Sequence, residues 1–360
     1  MVAASNAPLR RRRDAHFVCD GTADEVEINQ AIAQAQGATV VLTSGTFFLA
    51  QPVTAPPSMP LRLVGQGPST ALVWMTGFGL PEAGIVATNY SFTRNYVADL
   101  KIIAGPLTSV YAMYVDGWTT VERVHVTGGR TRIGGLTSEI RDSYFDAVTT
   151  RIWLVIDGIA CSARGCWLKR GIEVELRGFF PFLEGCMLGP EPVGSGSVKA
   201  IDAVFGRVDG CLFYSQIGFV QLDVNLNDFY ASVISGSALD AVSVRLGNGR
   251  DTKGGGQVLT GCTLWGVFGD ELQIWSGGYS LVADCAIDVQ PSIQVPPAPL
   301  STQHSVIQGN VVVTGQSPSV NVRSTSSGAG IFHNIVRRLG GGSIADAGVG
   351  TVLSTDTNLT

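Results

Sequence analysis

The chain has 360 residues, 45 of them glycine and 16 proline, with 45% apolar and 15% charged side chains and a net charge of -5. That apolar content excludes wholesale disorder, and glycine excess without proline excess excludes a collagen-like or Pro/Gly-rich disordered chain. A mildly acidic chain has no bulk attraction to polyanions, so no specific nucleic-acid partner is expected.

Residues 1–16 carry the one charge run, Arg10, Arg11, Arg12 and Arg13, with no apolar segment beside it. The pattern is not that of a secretory signal, and no run of 18 apolar residues follows, so no membrane span is expected. The segment reads as a basic attachment arm for an acidic surface or a neighbouring copy. Seven cysteines without a CxxC pair argue against a disulfide framework and for synthesis in a reducing cytoplasm.

Residues 22–36, TADEVEINQAIAQAQ, predict the one clear helix. Thr22 and Glu25 fit a capping box, and Val26, Ile28, Ala31, Ile32 and Ala35 fit an apolar stripe. Gly37 stops the helix and TVVLTSGTFFLA at 39–50 predicts a strand.

Beyond residue 96 a six-residue pattern recurs: apolar, two residues, a small position, one residue, apolar. It reads VADLKI at 97–102, VERVHV at 121–126, IRDSYF at 140–145, ARGCWL at 163–168, LEGCML at 183–188 and VDGCLF at 208–213. It continues as FYASVI at 229–234, LTGCTL at 259–264, VADCAI at 282–287, IQGNVV at 307–312 and, more weakly, IFHNIV at 331–336. Ten intervals between the fourth positions cover 234 residues, a mean of 23.4. Such a period with alternating apolar residues predicts a solenoid of short stacked strands, an all-β parallel β-helix. Cys166, Cys186, Cys211, Cys262 and Cys285 share the fourth position and are expected to form an internal ladder of small side chains, not a metal site.

A solenoid end exposes strand edges and an open core, so an amphipathic helix is expected there as a lid. The residues CDGTADEVEINQAIAQAQGATVVLTSGTFFLA at 19–50 and LRLVGQG at 61–67 resemble the N-terminal cap of the pectate-lyase-like, right-handed parallel β-helix superfamily. The resemblance implies a right-handed coil over roughly 17–338. It implies no activity, because tailspikes, virion decorations and polysaccharide lyases share the cap. The superfamily's catalytic signatures, such as the DPHE of alginate epimerases, are missing. The expected organisation is a basic arm at 1–16, a capping helix with first strands at 17–60, a β-helix at 61–338 and a tail at 339–360.

The four histidines are scattered, so no His-centred triad or metal site is legible, and no cofactor is expected. The strand IEVELR at 172–177 alternates, placing Glu173, Glu175 and Arg177 on the outer face. Carboxylates about 6.6 Å apart suit acid/base hydrolysis of a glycosidic bond. Glu173, Glu175 and Asp223 are therefore the catalytic candidates. Asp202, Gln221, Arg245, Glu271, Gln273 and Trp275 are expected on the same face in later coils, a composition suited to a glycan. The leading expectation is a trimeric structural protein on the virion surface of a tailed phage, a capsid decoration attached by its basic arm to the major capsid or another virion protein. A tailspike or a polysaccharide hydrolase or lyase acting on host surface polysaccharide is the alternative.

Overall fold

The computed structural model describes residues 1–74, 84–87, 94–105, 111–146, 152–169, 172–189, 197–213, 222–226, 233–240, 242–246, 257–265, 272–274, 280–288, 293–295, 306–314, 320–322, 330–332, 334–338, 344–346 and 352–353. The chain divides into two compact units, Met1–Glu173 and Val174–Thr360. Each is built from parallel strands, and each coil supplies one strand to each of three sheets.

In the first unit one sheet stacks Val53–Thr54, Ile85–Ala87, Tyr111–Val115, Arg130–Ile133 and Ile152–Ile156. The other two sheets meet at a corner inside the six-residue pattern. Val97, Val121, Ile140 and Ala163 stack before the corner, and Ile102, Val126, Phe145 and Leu168 stack after it. All eight are buried, because strand alternation turns them inward on both sides of the bend.

The corner itself has a fixed conformation. Asp99, Arg123, Asp142 and Gly165 occupy the third position of the pattern with φ of 50–58°. In the second unit Gly185, Gly210, Gly236, Gly261, Asp284 and Gly309 take the same role with φ of 55–65°. A left-handed residue between two extended ones turns the chain sharply, and glycine does so without Cβ strain.

The fourth position follows the bend and points inward. In the first unit it holds Leu100, Val124, Ser143 and Cys166, all buried. In the second it holds Cys186, Cys211, Ser237, Cys262, Cys285, Asn310 and Asn334, also buried. Ser237 replaces the expected position 232. Pairing of Val208 with Ile234 and of Leu212 with Ala238 moves that window to 234–239. Its third residue is Gly236, which takes the left-handed conformation more cheaply than Ala231 of the window read from sequence.

The N-terminal region departs from expectation in three places. Residues 1–16 are tied to their own chain: Val2 and Ala3 pair with Phe17 and Val18, and Val2, Ala3, Ala4 and Ala7 are buried. Between these ties, Leu9–Asp14 forms a short helix, α1. The second helix, α2, spans Glu25–Ala35 and buries Ile28, Ala31 and Ile32, while Val26 is exposed. The expected Thr22–Glu25 capping box does not form. Asp24 sits at the N-cap, its Oδ1 accepts Gly21 N at 2.8 Å and its Oδ2 accepts Phe48 N at 2.7 Å. Glu25 Oε2 accepts Ala50 N at 2.9 Å. Both carboxylates thus tie α2 to the strand Gly45–Leu49.

Within 339–360, read as a tail, Ile344–Asp346 and Val352–Leu353 are further strands, paired in parallel with Val320–Val322 and Gly330–Phe332.

Candidate functional site

The fifth position of the pattern faces outward, between the inward fourth and sixth. In the first unit this column runs Ala71, Lys101, His125, Tyr144 and Trp167, each paired with the next one coil on. Three consecutive rungs are therefore aromatic. The His125 and Tyr144 rings lie 4.5 Å apart at 83°, and Tyr144 and Trp167 lie 5.4 Å apart at 87°. Edge-to-face packing sets the positive edge of one ring against the negative face of the next and stiffens the row. Trp167 remains 44% exposed. A large aromatic surface left open on a regular scaffold is a stacking platform for a flat, partly apolar ligand.

The parallel outward column carries Thr127, Asp146 and Lys169 beside the aromatic rungs. Hydrogen-bonding groups thus flank the rings on a rigid sheet. His125 Nε2 lies 3.4 Å from Thr127 Oγ1. Burial first, then the Lys101 ammonium, push the His125 imidazole below its usual pKa, against a smaller opposing effect of Asp146. His125 is therefore a neutral ring at pH 7, able both to donate and to accept a hydrogen bond.

The strand before the corner is occupied by its own charges. Arg141 donates to Glu122 at 2.6 Å, Arg123 pairs with Asp99 at 2.7 Å and also with Glu122, and Tyr96 Oη donates to Glu122 at 3.2 Å. Glu139 lies 3.4 Å from Arg164 and 4.0 Å from Arg94. These groups neutralise one another.

The residues expected as a site in the second unit are partly placed. Glu175 and Arg177 share one face of the strand Ile172–Phe179, with Val174 and Leu176 buried on the other. Glu175 Oε2 accepts Arg177 at 2.6 Å and its side chain is only 12% exposed. Asp223 pairs with Ser197 and Ser243, so it stands in one row with them, while Asp202 lies beyond the paired stretch. Arg245 pairs with Gln273, in a row Asn225, Arg245, Gln273, Gln294, Asn321. Three of these five rungs (Asn225, Gln294 and Asn321) were not singled out from sequence. Gln221, Glu271 and Trp275 lie outside the described residues, as do the side chains of Glu173, Asp202, Asp223, Arg245 and Gln273.

Cys19, Asp24 and Glu27 bring a thiol and two carboxylates within 4.8 Å of one another. Both Asp24 oxygens already bind backbone N–H groups, so the cluster reads as a turn lock.

No family model matches the sequence, and no curated protein matches it. Solved structures do resemble the chain. The A-module of the mannuronan C-5 epimerase AlgE6 from Azotobacter vinelandii is 15% identical over 93% of this chain and 95% of its own, with a TM-score of 0.46. Tailspike protein 3 of bacteriophage CBA120 is 11% identical over 93% of this chain and 57% of its own, with a TM-score of 0.38. PfbA, a surface adhesin of Streptococcus pneumoniae, is 10% identical over 98% of this chain and 93% of its own, with a TM-score of 0.39. At these identities the likeness is one of fold. The architecture, parallel strands stacked coil on coil, is that of a parallel β-helix.

The aromatic column was legible in the sequence. The fifth letters of VERVHV, IRDSYF and ARGCWL are His, Tyr and Trp. The fourth and sixth letters, which define the repeat, drew attention to the core instead.

Proposed function

We propose that the protein is a glycan-binding β-helix that holds an extended polysaccharide along the His125, Tyr144 and Trp167 column. The single observation that carries this reading is the open aromatic row at one rung per coil, flanked by Thr127, Asp146 and Lys169. Sugar rings offer C–H faces to aromatic rings and hydroxyls to the polar flank, and strands hydrogen-bonded about 4.8 Å apart keep the platform rigid. The biological setting we favour is a virion-surface spike of a tailed phage that reads host surface polysaccharide, acting as a homotrimer. No feature of the structure favours a capsid decoration over a spike. Binding, not cleavage, is what a row of rings with hydrogen-bonding flanks provides.

The test is binding of the purified chain to a panel of neutral and acidic bacterial polysaccharides by calorimetry. At least one should bind, and Trp167→Ala should weaken it at least ten-fold while leaving the unfolding midpoint in place. Absence of binding across the panel, or an unaltered affinity in both Trp167→Ala and Tyr144→Ala, would overturn the reading. A released reducing end or unsaturated uronate that disappears in Glu175→Gln would replace it with the enzymatic one.

A further inference from the structure

Most described arginines elsewhere in the chain are neutralised. Arg94, Arg123, Arg132, Arg141, Arg164, Arg177 and Arg207 each lie within 4.0 Å of a carboxylate. Arg10, Arg11, Arg12 and Arg13 do not: among the described residues none has an ion-pair partner. They occupy α1, which has six residues and buries none of them. Consecutive residues turn about 100° apart, so the four guanidiniums fan around the helix, and Arg10 and Arg13, three apart, share one face. Attraction to the helix C-terminus accounts for one or two cations there, not for four.

The helix does not hold itself in place; its flanks do. Met1 O accepts His16 N at 3.1 Å and Phe17 N at 3.4 Å. Ala4 N donates to Thr43 Oγ1 at 3.2 Å, and Thr43 N donates to Val2 O at 3.0 Å. The chain therefore leaves the core at Ala7, carries four unneutralised charges through one and a half turns, and returns at Phe17. A costly element held rigidly by its ends points to a partner.

We propose that α1 docks the protein onto an acidic segment of another protein. The chemistry around it selects that class over nucleic acid. Leu9, on the helix itself, is 56% exposed, and Val18, shortly after it in the chain, is also exposed. Arginine mixed with apolar side chains is the composition of protein interfaces. A polynucleotide presents its phosphates outermost, whereas an acidic peptide can set an apolar side chain beside its carboxylates to meet Leu9. Guanidiniums also pair carboxylates bidentately.

The experiment measures binding of the full chain to two labelled probes of similar charge, a ten-residue Glu/Leu peptide and a single-stranded oligonucleotide. The peptide should bind more tightly. Replacing all four arginines by Gln should weaken it at least ten-fold with an unchanged unfolding midpoint, and Leu9→Ser should weaken the peptide but not the oligonucleotide. Equal peptide affinity in the Gln variant, or tighter binding of the oligonucleotide to the native chain, would overturn the proposal. The polysaccharide measurements above leave this result untouched, since the Gln variant retains Trp167.

Discussion

Asn310 and Asn334 stack one coil apart, with Asn310 Nδ2 donating to Asn334 Oδ1 at 2.9 Å inside the core. Asn310 Oδ1 accepts Cys285 N at 2.9 Å, and Asn310 Nδ2 also reaches Val282 O at 3.1 Å. One amide thus satisfies two backbone groups of the preceding corner and the side chain of the following one. Asn310→Ala leaves a buried N–H and a buried carbonyl without partners and should cost at least about 2 kcal/mol in urea unfolding. Asn310→Ser should cost less, because Ser237 Oγ already serves Cys211 N in the same way at 3.2 Å.

The left-handed corner can be tested free of packing. A Cβ at Gly210, where φ is +57°, would meet nothing within 4 Å. Gly210→Ala should therefore cost roughly 1–2 kcal/mol, all of it conformational, and Gly210→Asn less. At Gly135, with φ of +84°, a Cβ would fall on the backbone of Gly117. Gly135→Ala should lower stability by more than about 4 kcal/mol or prevent folding. Denaturant midpoints of the three variants decide the matter, and equal losses at both sites would refute the distinction.

His125 makes stability pH-dependent in a definite direction. Its folded pKa lies below the unfolded value of about 6.5. The unfolded chain therefore binds the extra proton below that pH, so this contribution is complete above about pH 6.5 and declines as pH falls toward the folded pKa. NMR titration should show His125 titrating late on acidification. Lys101→Gln should raise its pKa by removing the second cause, and Asp146→Asn should lower it further. The opposite order of shifts would contradict the assigned neighbours.

All seven cysteines are free and buried. Burial is the largest cause that pushes the Cys161 thiol up to about 11, and it also raises Cys19. Alkylation at pH 8 should leave the native protein unmodified, and unfolding in guanidinium should expose all seven thiols. Mass spectrometry counts the labels directly, and a thiol labelled in the native state would show that its corner opens.

The period was readable because each coil repeats the same physical demands: two inward apolar positions and a small residue behind the bend. The window at 229–234 slipped by five residues because FYASVI satisfies the apolar pattern, whereas the corner requires a left-handed third residue, which Gly236 supplies. The arginine run reads as an attachment arm held by a partner, because charge hides the three small apolar residues ahead of it, Val2, Ala3 and Ala4, which are buried in their own chain. Register was readable inside the repeated windows and less so in the third sheet. Loop lengths differ from coil to coil, and only backbone pairing shows that Asp223 stands beside Ser197 and not beside Asp202.

The aromatic column contributes one residue per coil, and each coil's inward residues are separate from its outward one. A substitution at position 125, 144 or 167 therefore alters a single letter of the surface without replacing the inward Val124, Ser143 or Cys166 of the same coil. The outer face of this unit is editable letter by letter, with the core acting as an unchanging page.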